Sequence, residues 1–216
     1  MAVHIEAFIL YIVIFFSQSL LREAAIPGSV EIASFSIPIL LFTLIIYSLP
    51  SLVLIWFLLY RRKIPEYRPA KPGKNDLLSG IITLPALLLT GFTISMISAI
   101  TGTVSSEPII TSPSSPAGWI TLSVYCLFSA YLEESYFRFY LLSKKDEFRL
   151  SAPFALILSA LLFGICHIYE GFFGFLNALL CGLLLGSIFL KYRTLHGIAI
   201  AHAAYNITAF VLYAVI

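Results

Sequence analysis

Charge is scarce in this chain: 11% of its 216 residues are Asp, Glu, Lys or Arg, against 60% that are hydrophobic. A soluble domain of this length needs far more charge to cover its surface, so that class is excluded, and no stretch is left over for a soluble domain. The formal net charge is +2, and no basic run is interleaved with aromatics, which sets nucleic acid aside as a partner. Cysteine is scarcer still. Cys126, Cys166 and Cys181 lie in apolar segments without CxxC spacing, so neither a disulfide framework nor a cysteine zinc site is indicated, and buried thiols are expected. The leading MAVHIEAF lacks the Lys or Arg of a signal peptide's first region and reads as a retained first helix. HExxH is missing, and no internal repeat or low-complexity tract is visible.

Apolar runs are what the chain has in abundance, and several reach the roughly 20 residues that span a bilayer. In order they predict seven helices, at about 5–21, 35–60, 77–100, 117–142, 151–168, 172–192 and 195 to the end. The expected fold is all-α, a polytopic transmembrane helical bundle of about seven spans in one integral membrane domain, 1–216. Pro38 and Pro50 are expected to kink the second helix. RRKIPEYRPAKPGKND, at 61–76, reads as a surface loop with Asn75 or Asp76 capping the third helix. Residues 22–34, with Pro27 and Gly28, read as a polar connector, and 101–116 as a flexible external loop. Placing the 61–76 loop in the cytoplasm also puts the 143–151 and 191–194 turns there. That gathers every Lys and Arg except Arg22 and Arg138 on one side, with a cytoplasmic N-terminus.

The fourth helix holds an oddity: YLEESYFRFY, at 131–140, puts Glu133, Glu134 and Arg138 in an apolar span. Each ionised side chain near a bilayer centre costs about 2.5–3.5 kcal/mol even on a lenient scale, so such groups usually face the protein interior. Glu134 and Arg138 are four apart and share a face, whereas Glu133 points about 100° away. Glu134 therefore reads as the ion-pair partner of Arg138, a structural support, and Glu133 as the carboxylate left for chemistry. The plainer reading ends the helix near Leu132 and leaves these charges in the interface.

Two further helices carry polar groups. His167 closes the fifth, and His202 and Asn206 share a face of the seventh. A lone histidine can simply hydrogen-bond a neighbouring carbonyl, and His202 with Asn206 can act as glue between helices for about 0.6 kcal/mol each. Counting helical rise from the cytoplasmic ends sets Glu133 about 14 Å deep, His202 about 10 Å, Asn206 about 16 Å and His167 about 20 Å. Those levels can meet in one cavity.

Glu133-Glu134-x-x-x-Arg138, Phe163-x-x-x-His167 and His202-x-x-x-Asn206 resemble, in order and on separate helices, the three motifs of the CPBP family. That family comprises CAAX prenyl proteases and bacteriocin-processing or immunity enzymes, and is also called Abi. The resemblance covers roughly 131–206, within an expected catalytic core at 117–216, and is silent on helices one to three (1–100), which are expected to be peripheral. It implies an intramembrane endopeptidase similar to the type II CAAX protease, in which Glu133 and His167 activate water while His202 and Asn206 hold the oxyanion. The substrate it implies is a prenylated CAAX peptide or another lipophilic peptide, met in the lipid bilayer, and the expected home is the plasma (inner) membrane of a prokaryote. Members are described both as metalloproteases and as metal-independent glutamate proteases. If a metal is present, Glu133, His167 and His202 would make a His₂Glu zinc site, but the expectation is no tightly bound metal and no other cofactor.

Two other classes stay open at this level. In a proton- or ion-coupled transporter, Glu133, His167 and His202 would form a relay, although repeated halves and broken helices are not visible. In a non-catalytic immunity or binding protein the same fold would persist without turnover.

Overall fold

The computed structural model describes residues 2–17, 32–34, 36–61, 71–101, 109–111, 113–143 and 145–215. The connector around Pro27 and Gly28, residues 62–70 of the surface loop and residues 102–108 of the 101–116 loop fall outside them. The described residues form seven helices. α1 is Ala2–Leu10 continued by a π-helical turn, Tyr11–Phe16. α2 is Ile37–Arg61 with a π turn at Leu44–Ser48, and α3 is Lys74–Thr101. α4 runs through Pro116–Glu134, a π turn Ser135–Tyr140 and Leu141–Ser143. α5 is Ala152–Ile165, α6 Gly171–Tyr192 and α7 His196–Val215. Among the described residues three stretches are by themselves long and apolar enough to cross a membrane: Ile37–Arg61, Lys74–Thr101 and Ile168–Tyr192.

Local chemistry explains where these helices begin, and corrects several expectations. Pro38 sits in the first turn of α2, where its missing N–H leaves no bond unmade, and so does not kink the helix. Pro50 follows the π turn of α2; without an N–H it cannot bond the carbonyl of Ile46, and the ladder widens just before it. α3 starts at Lys74, ahead of the expected caps. Asp76 lies inside its first turn and reaches back to accept the Gly73 N–H at 2.9 Å. α4 is capped by Ser115, whose Oγ accepts the Gly118 N–H at 3.1 Å. Residues 109–111, expected in a flexible loop, pair in parallel with Ile32–Ser34, so among the described residues the helices are joined by one three-residue β ladder, β1 (Ile32–Ser34) with β2 (Ile109–Thr111).

α4 is the hub. Every residue of its π turn, Ser135–Tyr140, is buried, because neighbours cover it on all sides. Phe15 of α1 packs on Tyr136 and Phe137, Trp56 of α2 on Phe139, Phe163 of α5 on Phe137, and Phe189 of α6 on Phe139. α1, expected at the periphery, supplies Ala7, Leu10, Tyr11, Ile14 and Phe15 to the same buried cluster. Tyrosine hydroxyls fix it there: Tyr136 donates to the Ala7 carbonyl at 2.7 Å, Tyr11 to the Leu162 carbonyl at 3.0 Å, and Tyr47 to the Ile14 carbonyl. In an apolar interior each such hydroxyl needs a partner, so these bonds dictate the seat of α1.

Two features position the site. α5 stops at Ile165, about 21 Å from its start by helical rise. His167, expected inside that helix, instead lies just past it, with φ −105° and ψ 11°, leading into a 3₁₀ turn, Ile168–Glu170. The reversal into α6 passes through Gly171 at φ 82° and ψ −175°, a conformation open essentially only to glycine. At the other end, Asp76 Oδ1 accepts the Gly197 N–H at 3.2 Å and Ser79 Oγ meets Thr194 Oγ1 at 2.9 Å, which ties the start of α7 to α3.

Candidate active site

Glu134 is the first residue to place, because it is fully buried and must be compensated. Its Oε2 lies 3.0 Å from Arg138 Nε, and both side chains are 0% exposed. The Arg138 N–H does not point along that line, so the pair attracts by charge and does not form a directed hydrogen bond. The guanidinium also rests over the Phe163 ring, 4.6 Å from its centroid, on the negative face of the π system. The other oxygen, Oε1, lies 2.9 Å from His202 Nδ1 across to α7. Glu134 thus joins an arginine one turn along α4 to a histidine 68 residues away.

Glu133 is held differently. Its side chain is 18% exposed. Ser129 Oγ, one turn back on α4, donates to Oε1 at 3.3 Å, and His202 Nε2 stands 3.7 Å from Oε2, beyond hydrogen-bond reach. His202 therefore turns one ring nitrogen to each glutamate. With the Nδ1 proton given to Glu134, Nε2 is an acceptor in the neutral ring and a donor in the imidazolium.

His167 Nδ1 bonds the Phe163 carbonyl at 2.9 Å, which leaves its Nε2 without a hydrogen bond among the described residues. Its ring centroid is 4.7 Å from that of Phe163, and Phe163 is 6.0 Å from His202, so Phe163 stands between the two histidines. Asn206 lies one turn beyond His202 on α7, half-buried, and makes no hydrogen bond among the described residues. The structure thus brings Glu133, Glu134, Arg138 and His202 into one cluster, sets His167 beside it across Phe163, and gives the Asn206 amide no hydrogen bond among the described residues. Two contributions were not anticipated. Ser129 shows in the sequence only as an i, i+4 neighbour of Glu133. Phe163, known from the sequence only as the start of the second motif, also meets Arg138 of α4 and His202 of α7, which no local pattern reveals.

The same geometry bears on metal binding. Among the described residues no group of three His, Cys, Asp or Glu side chains can hold an ion. The conditional zinc set of Glu133, His167 and His202 is not gathered on one point: His202 Nε2 faces Glu133 Oε2 at 3.7 Å, but His167 stands apart across the Phe163 ring.

Residues 115–208 match the family model described as type II CAAX prenyl endopeptidase Rce1-like. The chain carries an Rce1-like domain over these residues, which supports the resemblance of its three motifs to the CPBP family. The domain runs from the cap of α4 into α7 and so contains every candidate site residue. As a family, Rce1-like proteins are CAAX-type intramembrane proteases, integral to the membrane and acting on peptides. No curated protein and no solved structure matches the chain.

Proposed function

We propose that the Rce1-like domain is an intramembrane endopeptidase that cleaves prenylated or other lipophilic peptides near the cytoplasmic side of a prokaryotic plasma membrane. The observation that carries this reading is the unlike treatment of two adjacent carboxylates. Glu134 is sealed between Arg138 and His202, while Glu133 is part-exposed and held only at 3.3 and 3.7 Å. A group reserved for chemistry needs that freedom and that access.

In this reading Glu133, with His167, takes a proton from water as the oxygen attacks the scissile carbonyl. The C–N bond then breaks and Glu133 returns the proton to the leaving amine, a general acid–base contribution of about 10²–10⁴-fold. The Asn206 amide and the His202 imidazolium Nε2 donate to the oxyanion, with Glu134 stabilising the cation; each such donor is worth about 10²–10³-fold. By helical rise His202 lies about 9 Å into α7 and Glu133 about 15 Å from the end of α4, both nearer the lysine- and arginine-rich face.

The test is cleavage of a quenched farnesylated CAAX peptide by purified protein in detergent, with Glu133→Gln alongside and chelator present or absent. Cleavage by wild type that survives chelator and disappears in Glu133→Gln is the expected result. A wild-type protein inert toward a panel of lipophilic peptides would return weight to the transporter and immunity readings.

A second mechanistic reading is favoured by the buried 2.9 Å contact of Glu134 with His202 Nδ1, the arrangement of an orienting carboxylate behind a general base. Under it His202→Gln is as inactive as His202→Ala. In the first reading Gln keeps an N–H donor and recovers part of the rate.

A further inference from the structure

α6 carries one amide in the middle of its apolar span, Asn177, which the proposed chemistry leaves unused. Its Nδ2 donates to the Tyr205 hydroxyl on α7 at 3.0 Å, and its Oδ1 faces the Cys181 thiol at 3.7 Å, one turn along α6. A third helix closes around the same hydroxyl: a Cβ at Gly91 of α3 would stand 2.6 Å from the Tyr205 oxygen. Tyr205 directly precedes Asn206, and on a helical wheel it lies about 60° from His202 and about 100° from Asn206. α3, α6 and α7 therefore meet at one tyrosine hydroxyl on the flank of the His202–Asn206 face.

We propose that Asn177 is a positioning residue. By holding the Tyr205 hydroxyl in the space that Gly91 leaves, it sets the rotation of α7 about its axis and so the aim of the Asn206 amide. The inference rests on the endopeptidase reading above. His202 has a second hold on its orientation in Glu134, but Asn206 has no partner of its own among the described residues, so its direction depends on how α7 is seated. An oxyanion donor must be placed to within a few tenths of an ångström, which makes the rotation of the helix a catalytic variable.

Three substitutions on three helices disturb this one contact. Asn177→Leu removes the donor, Tyr205→Phe removes the acceptor, and Gly91→Ala pushes the hydroxyl aside without changing either partner. With the farnesylated peptide, each is expected to lower kcat about 5- to 20-fold with KM within twofold. The Asn177→Leu/Tyr205→Phe double variant is expected to be no worse than either single one, since both delete the same bond. In an Asn206→Ala background, Tyr205→Phe is expected to cost nothing more, a readout that a merely structural tyrosine would not give. Full kcat in Tyr205→Phe and Gly91→Ala, or an equal further loss in the Asn206→Ala background, overturns the assignment. Wild-type cleavage in the same assay separates such a failure from failure of the endopeptidase reading, because only the latter silences wild type.

Discussion

Glu133 and Glu134 are neighbours in the chain with opposite surroundings, and the proposed chemistry rests on that contrast. The Glu134 side is closed: an arginine at 3.0 Å, a histidine at 2.9 Å, and no exposure. The Glu133 side is looser: a serine at 3.3 Å, the same histidine at 3.7 Å, and part of the side chain exposed. A step of about 100° around the helix buries one carboxylate in the bundle interior and leaves the other part-exposed. In the proposed reading, the fully compensated carboxylate is the structural charge and the partly compensated one the reactive charge.

The contrast breaks most sharply at Glu133 itself. Glu133→Gln is expected to lower peptide cleavage by roughly 10²–10⁴-fold while leaving the melting temperature in detergent unchanged. If activity survives, the looser side is not the reactive one. On the closed side, Arg138→Ala strands the Glu134 carboxylate and is expected to cost about 3–5 kcal/mol of stability. The double variant Glu134→Gln/Arg138→Met should recover much of that loss in the same melting measurement, and a double variant as unstable as the single one would mean that the pair's charge is not what matters. Asn206→Ala is expected to reduce kcat by about 10²–10³-fold with KM nearly unchanged, measured by steady-state cleavage; a change confined to KM would make it a substrate contact instead. The smallest effect sharpens the comparison from within: Ser129→Ala removes a weak hydrogen bond worth about 1 kcal/mol and is expected to change kcat less than tenfold with no loss of stability. A marked drop in melting temperature there would show that the looser side also bears structural load.

The helical spacing of Glu134 and Arg138 was readable because both lie on one element, where four residues make nearly one turn. So were the apolar runs that become α2, α3 and α6. What could not be read was which element each face would meet. His202 bonds Glu134 across 68 residues of sequence, while its other nitrogen turns to Glu133, and nothing in either local pattern chooses between the two glutamates. The stop of α5 at Ile165 was hidden because the apolar run continues through Cys166 to Ile168, and the chain leaves the helix only where His167 and Gly171 turn it. The central place of α1 was hidden for a related reason. Its tyrosine and carbonyl partners lie on α2, α4 and α5, so its own composition looks the same whether it faces lipid or protein.

That last arrangement imposes an order in time. Tyr11 donates its hydroxyl to the carbonyl of Leu162, 151 residues further along. At roughly 5–20 residues per second of synthesis, that acceptor leaves the ribosome roughly 8–30 s after the tyrosine does. The backbone carbonyls of Ala7 and Ile14 likewise wait for Tyr136 and Tyr47. α1 therefore completes its contacts only after α2, α4 and α5 have been made.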